Sequence, residues 1–272
     1  MKPIIANSML SLFVATVLSG CISTQSPTGR SQTLLFSETQ MQKMGAESFA
    51  SMKQEQKVSK DKALTTYVNC VAKRITDVLP GEAMQWELVL FESEQVNAFA
   101  VPGGFIGVYT GLLNVANTPD QLATVLGHEV AHVLAHHGNE QVSRAQMTGI
   151  GIQLADAALG AGGVSNKDLY MQALGLGAKV GYILPFGRAQ ESEADVMGLE
   201  LMAKAGFDPS QSIALWQNMA KAGGAQGPEL LSTHPSNDRR IQDLQALQGS
   251  VTPLYQAARE TNLAKCIQPS KK

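Results

Sequence analysis

The 272-residue sequence has few charged side chains. They make up 16% of the chain and leave a formal net charge of −2. This excludes a disordered acidic or basic protein and argues against nucleic acid as a partner. Hydrophobic residues make up 44%, which is enough for the core of one large domain or two small ones. These proportions predict a folded, globular protein, and the sequence shows no internal repeat.

The N-terminal segment differs in character from the rest of the chain. Lys2 precedes a mostly apolar stretch, residues 4–18, which is too short and too abruptly ended for a membrane span. The layout is typical of a signal peptide over residues 1–20, and the small residues before Cys21 resemble a bacterial lipobox. We therefore predict lipidation of Cys21 and a membrane anchor; an ordinary signal peptide with an incidental cysteine is the alternative. Ser23 stands where Asp would favour inner-membrane retention, which by resemblance to enteric sorting favours the periplasmic face of the outer membrane.

The sequence contains only three cysteines. With Cys21 acylated, Cys70 and Cys266 remain as an even pair in an oxidising compartment, which predicts a disulfide. That bridge would close a loop of nearly the whole domain and contribute about 4 to 5 kcal/mol in the chain-entropy model. Two free buried thiols are the alternative.

The rest of the chain predicts a tether followed by one domain. Residues 21–36, rich in Ser, Thr, Gln, Pro and Gly, predict a flexible tether, and residues 37–272 form the domain. Ser37 and Gln40 have the spacing of a capping box and predict the start of a helix. Periodicity and turn residues predict a helix over residues 62–79, a strand over 86–91, two strands over 97–101 and 105–109 that flank Pro102-Gly103-Gly104, and mainly helix from Pro119 onward. The predicted fold class is α+β, mainly helical, with one small β-sheet.

One long apolar and glycine-rich stretch, residues 149–187, has two interpretations. It forms either a core helix packed through small residues or a movable cover over the functional site. The sequence does not decide between them.

The most informative segment is His128-Glu129-Val130-Ala131-His132. Residues four apart share one face of a helix, so both imidazoles can bind a single ion. Glu129 is placed to hydrogen-bond a water held by that ion. Zinc suits imidazole and carboxylate ligands in a tetrahedral arrangement with one open position, so we predict one Zn²⁺ per chain. The helix is predicted to begin at Pro119 and to end at Gly138.

Two histidines supply only two ligands, so a third ligand must come from elsewhere. A metzincin would have glycine at position 135 and histidine at position 138, and Ala135 and Gly138 exclude it. His136 and His137 cannot curl back from a continuous helix onto the same ion. Surface or supporting positions are therefore favoured for both.

An acidic segment, Glu191-Ser192-Glu193-Ala194-Asp195, supplies the better candidate. Glu191 and Asp195 are four apart on a predicted helix, so one can bind the ion while the other accepts a hydrogen bond from a ligand histidine. Glu193 points about 200° away around that helix and fits a ligand role less well. An acidic face exposed to solvent is the alternative.

Together these motifs resemble the M48 family of metallopeptidases, a gluzincin group. The resemblance also includes Asn-Ala-Phe-Ala-x-Pro-Gly-Gly from Asn97 and covers residues 64–247. The lipobox and modest length are similar to those of its secreted bacterial lipoprotein members. The resemblance implies a zincin-like fold with His128, His132 and Glu191 as zinc ligands, Glu129 as catalytic base, and Asp195 as the acid that orients a ligand histidine.

The resemblance extends to Thr233-His234-Pro235 and to Arg240. In similar enzymes this histidine lies near the zinc, where His234 would either stabilise the oxyanion or cap the metal in a resting state. On the residues alone, His234 would be a loop histidine before a helix. Arg240 is interpreted as a residue that supports the site.

The predicted function is zinc-dependent hydrolysis of peptide bonds, with Glu129 passing a proton from water to the leaving amine. Asn97, Ala98, Phe99 and Ala100 are predicted to bind an extended polypeptide along a strand edge. The resemblance implies unfolded or misassembled envelope proteins as substrates and a link to the outer-membrane assembly machinery. A chaperone-like assembly factor with a latent zinc site is the alternative. A solute-binding lipoprotein leaves the ligand set unexplained.

Overall fold

The computed structural model describes residues 23–80, 85–161, 186–222, 229–234, 238–261 and 265–270. The predicted signal peptide and Cys21 lie outside the described residues. Within those ranges, the longest apolar helices fall short of what a bilayer crossing requires.

The described chain is mostly helical, with two small sheets. In chain order the elements are β1 (Ser23–Gln25), β2 (Ser31–Thr33), α1 (Glu38–Glu55), α2 (Lys62–Asp77), β3 (Glu87–Phe91), β4 (Ala98–Val101), β5 (Phe105–Tyr109), a 3-10 helix (Thr110–Asn114), α3 (Pro119–Leu134), α4 (His137–Ala161), α5 (Arg188–Lys204), α6 (Gln211–Ala222), α7 (Glu229–Thr233) and α8 (Asp238–Arg259). The predicted α+β class, mainly helical, is confirmed. β1 and β2 add a second sheet to the single one predicted.

Helix starts follow the local sequence. The predicted capping box at α1 is present: the Ser37 hydroxyl accepts from the Gln40 amide at 3.3 Å, and Gln40 Oε1 accepts from the Ser37 amide at 2.8 Å. At α3 the Thr118 hydroxyl accepts from the Gln121 amide at 3.2 Å. Pro119 occupies the first turn of α3, where its missing N–H leaves no helical hydrogen bond unmade.

The three-stranded sheet has the order β3-β5-β4. β5 pairs parallel with β3 and antiparallel with β4, where Ala98 lies opposite Val108. Gly103 and Gly104 make the turn between β4 and β5 with φ angles of 98° and 85°, which glycine adopts without strain. Within the described residues, β4 is therefore an edge strand of this sheet.

Helix α3 passes through the centre of the domain. Every side chain from Gln121 to His132 is buried, because α2, α5, α6 and β4 pack around the helix. The helix ends at Leu134 rather than at the predicted Gly138. The cause is His136, which takes the left-handed conformation with φ of 55° and turns the chain into α4.

Helices α3 and α5 cross at two glycines. A Cβ atom on Gly127 would lie 2.8 Å from the backbone oxygen of Gly198, and one on Gly198 would lie 2.8 Å from the backbone nitrogen of His128. Larger residues would therefore push the two helices apart. This close approach brings His128 against the face of α5 that carries Glu191 and Asp195.

The predicted disulfide joins Cys70 of α2 to Cys266 near the end of the chain. The two cysteines are 196 residues apart in sequence, a loop whose closure corresponds to about 5 kcal/mol in the chain-entropy model. Cys266 is buried in the main hydrophobic core. The bridge therefore holds the C-terminal segment, residues 265–270, against the domain.

Residues 23–36 are not the flexible tether that their composition predicted. β1 and β2 pair antiparallel, and Gly29, with φ of 86°, lies between them. Arg30 fixes the hairpin to the domain through ion pairs with Glu140 of α4 at 2.7 Å and Glu193 of α5 at 2.8 Å. These carboxylates are distant in sequence, so the composition of the segment did not reveal them.

The stretch of residues 149–187 is described only in part. Residues 149–161 continue α4, where the side chains of Ile150 and Leu154 are exposed. Residues 162–185 lie outside the described residues. The choice between core helix and movable cover therefore stays a prediction.

Candidate metal centre and active site

Four buried side chains from three parts of the chain meet beside α3. His128 and His132 come from α3, Glu191 comes from α5, and His234 directly follows α7. One ligand-type atom from each lies within 4.8 Å of the others, and the four residues are between 3% and 6% exposed. The structure therefore brings the three residues predicted as ligands together with the histidine predicted to lie beside them.

The separations within this cluster resemble the edges of a tetrahedron. His128 Nε2 lies 3.1 Å from His132 Nε2 and 3.2 Å from His234 Nδ1. The Glu191 oxygens lie 3.4 Å from the Nε2 atoms of both α3 histidines. Glu191 Oε1 lies 2.9 Å from His234 Nδ1. Ligands about 2.0–2.1 Å from a tetrahedral zinc lie about 3.3 Å from one another, so both donor types and spacing fit such an ion.

Glu129 lies beside the cluster without joining it. Its Oε1 makes no hydrogen bond with the described residues and lies 3.4 Å from His234 Nε2. A backbone hydrogen bond from Ala100 of β4 reaches the same carboxylate. Burial raises the pKa of Glu129, against the opposing charges of His234 and His128. A buried carboxylate in this position can accept a proton from a water beside the ligand atoms.

Asp195 and Arg240 support the side of the cluster that His128 forms. The second ring nitrogen of His128, Nδ1, lies 3.0 Å from Asp195 Oδ1. Arg240 donates to Asp195 Oδ1 at 2.6 Å and to Glu191 Oε2 at 2.9 Å, and its guanidinium lies 3.7 Å from the ring centroid of Trp216. A carboxylate on the second nitrogen of an imidazole fixes the tautomer and orientation that metal binding needs.

His132 has a different kind of support. Its Nδ1 lies 2.9 Å from Nδ1 of His137, whose Nε2 lies 3.1 Å from Glu193 Oε2. His137 is fully buried, whereas the side chain of His136 is 42% exposed. In a continuous helix a residue five positions on would point about 140° away. The left-handed His136 breaks the helix after Leu134 and lets the His137 ring fold back onto His132.

The electrostatics of the cluster favour a cation at its centre. Burial lowers the pKa of His132 well below its usual value. For Glu191, burial opposes ionisation, but hydrogen bonds with His128, His132 and His234 outweigh it and lower the pKa. Burial also lowers the pKa of His128, but Asp195 and Glu191 raise it to about 9. The carboxylates thus attract positive charge to this point, which a divalent ion would supply.

A cleft lies between His132 and the strand predicted to bind substrate. Ala100 and Pro102 from the β4 region line it, together with His132 and Phe186. The ring of Phe186 lies against that of His132, with 4.1 Å between the ring centroids. Ala100 of β4 and His132 of the cluster therefore line the same cleft.

The four residues predicted to bind substrate differ in what they offer. The side-chain oxygen of Asn97 accepts from the Ala98 amide at 2.9 Å, and Ala98 itself is buried. The ring of Phe99 packs against Phe49 and Tyr109 in an aromatic cluster, with centroids 6.3 Å and 6.2 Å away. The Phe99 ring therefore belongs mainly to the small aromatic core beside the sheet.

Sequence reasoning missed two kinds of residue around the site. No local pattern marks Arg30, because its partners Glu140 and Glu193 are 110 and 163 residues away. Gly127 and Gly198 could have been found from the sequence, because a glycine inside each of the two helices that carry the motifs indicates a close crossing.

Comparison with known proteins identifies relatives of the chain. The model of peptidase family M48 matches residues 61–248. The chain is 38% identical over 200 residues to the mitochondrial metalloendopeptidase OMA1 of Schizosaccharomyces pombe, which covers 73% of this chain and 56% of that protein. It is 34% identical over 223 residues to the enzyme of the same name from Arabidopsis thaliana, covering 81% and 44%. It is 28% identical over 219 residues to the beta-barrel assembly-enhancing protease of Escherichia coli (strain K12), covering 75% and 43%.

The chain spans about half the length of the curated relatives that it matches. The matched region nevertheless contains most of the described domain, including the cluster of His128, His132, Glu191 and His234. The resemblance predicted from the motifs is confirmed, and the chain belongs to peptidase family M48 of metallopeptidases.

Proposed function

We propose that the chain is a zinc-dependent metalloendopeptidase with His128, His132 and Glu191 as zinc ligands. The buried cluster carries this proposal, because its four ligand-type atoms lie within 4.8 Å of one another, beside an oxygen of Glu129 that makes no hydrogen bond with the described residues. Two imidazoles and one carboxylate are a common ligand set of catalytic zinc. Relatives from yeast and plants carry the name metalloendopeptidase.

Individual residues of the chain would have separate roles in peptide hydrolysis. Zinc, when bound, supplies a Lewis acid that polarises the scissile carbonyl and acidifies a water. Glu129 accepts a proton from water at Oε1 and returns it to the leaving amine. Its pKa is raised by burial, which suits a group that holds a proton between two steps. Asp195 keeps His128 in the tautomer that leaves Nε2 free to bind the ion.

His234 closes the cluster in the present arrangement. Its Nδ1 occupies the fourth corner, and its Nε2 faces Glu129 at 3.4 Å. Catalytic zinc sites keep one position open, so we propose that this arrangement is a resting state that substrate displaces. Once displaced, the Nε2 of His234 can donate to the developing oxyanion. The two roles predicted for His234 then become two positions of one side chain.

The outer edge of β4, opposite β5, supports a polypeptide substrate in extended conformation. Asn97, Ala98, Phe99 and Ala100 form or adjoin this edge, and Ala100 also contacts Glu129. An added strand is held mainly by main-chain hydrogen bonds, so this binding mode tolerates many sequences. Unfolded or misassembled proteins are the substrates that such a mode suits.

We further propose that the chain acts at the periplasmic face of a bacterial outer membrane through a lipid on Cys21. The N-terminal sequence pattern supports this location, and the disulfide between Cys70 and Cys266 is typical of an oxidising compartment. One relative is named a beta-barrel assembly-enhancing protease. Misassembled envelope proteins would be the substrates, and the outer-membrane assembly machinery would be the partner.

The decisive experiment compares the full-length protein with its Glu129→Gln variant. Both are purified in detergent, assayed for bound zinc and incubated with casein as an unfolded reporter. We expect about one zinc per chain in both proteins and cleavage only by the wild type, because the variant keeps the ligands but lacks the base. Glu200→Gln is the matched control, since the Glu200 side chain on α5 is 46% exposed and pairs only with the neighbouring Lys204 among the described residues.

A chaperone-like assembly factor with a latent zinc site is the second candidate. The observation that favours it is the closed cluster, since structural zinc sites have four protein ligands. If this candidate is correct, the wild type and the Glu129→Gln variant would both bind zinc and neither would cleave casein. Both would suppress the aggregation of casein equally.

A further inference from the structure

The support of His132 continues as far as the N-terminal hairpin, residues 23–33. His132 Nδ1 lies 2.9 Å from His137 Nδ1, and His137 Nε2 lies 3.1 Å from Glu193 Oε2. Two hairpin side chains then donate to Glu193: Arg30 through Nε at 2.8 Å and Thr28 through its hydroxyl at 2.6 Å. An unbroken line of polar contacts thus connects the hairpin with a proposed zinc ligand.

The protons along this line have one consistent arrangement. When His132 binds an ion through Nε2, its Nδ1 carries the proton and donates to His137 Nδ1. His137 is then protonated on Nε2, which donates to Glu193. Glu193 must be ionised to accept from His137 and Arg30 together. The hydroxyl of Thr28, the guanidinium of Arg30 and the ring of His137 all lie within hydrogen-bond distance of the Glu193 carboxylate, which favours its ionised form.

We propose that Arg30 is a positioning residue of the active site: it holds Glu193, which through His137 fixes the orientation and proton of His132. This inference rests on the proposed zinc site. A partner that accepts the Nδ1 proton of a metal-binding imidazole raises the basicity of that ligand and restrains its ring. Arg30 therefore contributes to zinc affinity and to turnover from outside the catalytic helices.

The contacts of Arg30 also supply a matched control. Its guanidinium binds two carboxylates, Glu193 at 2.8 Å and Glu140 at 2.7 Å. Both residues are buried, but of the two only Glu193 lies within hydrogen-bond distance of His137. Glu140→Gln therefore weakens the docking of the hairpin and leaves the line of contacts to His132 in place.

The test measures zinc affinity of the full-length protein in detergent by competition with a chromophoric chelator. We expect His137→Ala to lower the affinity about 10- to 100-fold, the usual cost of removing the partner of a ligand. Arg30→Met and Glu193→Gln should lower it about 3- to 10-fold, because they act one or two contacts further away. Glu140→Gln should change it less than about twofold. The kcat of His137→Ala, Arg30→Met and Glu193→Gln should be lower than that of the wild type. The KM should stay constant, since none of these side chains touches β4.

Two further variants separate positioning from general damage. Arg30→Met added to His137→Ala should cause no further loss of affinity, because the line of contacts is already broken. His137→Gln keeps an acceptor for His132 and should recover most of the affinity. The apo proteins are compared by circular dichroism. Arg30→Met keeps the test valid if a core variant fails to fold, since the Arg30 side chain is 22% exposed at the surface.

The proposal is overturned if Arg30→Met binds zinc as tightly as the wild type, if Glu140→Gln loses as much affinity as Glu193→Gln, or if the losses in the double variant add. A wild-type protein that binds no zinc would instead refute the proposed function. The two failures are therefore distinguishable.

Discussion

His128 and His132 occupy equivalent positions on one helix face, yet their second ring nitrogens are held in different ways. His128 contacts the carboxylate of Asp195 directly, at 3.0 Å, and Arg240 from α8 secures that carboxylate. His132 reaches its carboxylate only through a second imidazole, that of His137. A symmetric motif in the sequence thus has an asymmetric environment in the fold. The support of His128 is formed by residues of α5 and α8, whereas the support of His132 includes residues of the N-terminal hairpin.

Removing the metal should have the largest effect, because both supports meet at the ion. With zinc present at about 1,000 times its dissociation constant, binding stabilises the folded state by about 4 kcal/mol. For a domain of this size, chelation should then lower Tm by about 8–16 °C. Thermal melts over a series of free zinc concentrations measure this shift. A Tm that is independent of zinc would show that the cluster does not hold the ion in the folded state.

Asp195→Asn breaks the direct support and should lower zinc affinity about 10- to 100-fold. The amide lacks the charge that pairs with Arg240 and holds the Nδ1 proton of His128. Chelator competition measures the loss, and Asp243→Asn, an exposed site on α8, is the control. If the loss is smaller than in Arg30→Met, the order of importance of the two supports is reversed.

Ser143→Ala should have the smallest effect, because it acts only on the docking of the segment that follows the hairpin. The Ser143 hydroxyl accepts from the Leu35 amide at 2.8 Å, which helps to hold the segment after the hairpin. Its loss should lower the free energy of unfolding by about 1 kcal/mol, measured by urea denaturation. Zinc affinity should not change, because the contacts from Arg30 to Glu193 remain. A drop in affinity equal to that of Arg30→Met would assign the effect to hairpin docking in general.

The groupings of side chains that the sequence predicted and the structure shows depend on local geometry. The spacings of His128 and His132, and of Glu191 and Asp195, place each pair on one helix face whatever the rest of the fold does. The capping box at Ser37 depends on residues only three apart. For the same reason the α+β class could be predicted from short windows of sequence.

The parts that sequence reasoning missed depend on one unusual backbone angle and on distant contacts. Nothing in the sequence near His136 demands a left-handed residue, yet that angle separates a buried His137 from an exposed one. The segment around Arg30 has the composition of a linker, and its order comes from carboxylates more than 100 residues away. Such contacts have no periodic signal in a single sequence.

With the proposed lipid on Cys21, the ordered hairpin would also limit how far the domain can stand from a membrane. If Cys21 carries the proposed lipid, Ile22 alone separates the anchor from β1. An extended chain spans about 3.3–3.6 Å per residue, so Ser23 would lie within about 7 Å of the anchor, where a flexible tether over residues 21–36 would reach about 50 Å. The proteolytic centre would then work at a fixed, low height above the lipid headgroups. Polypeptide segments that emerge at the membrane surface would reach it, and those deeper in the periplasm would not.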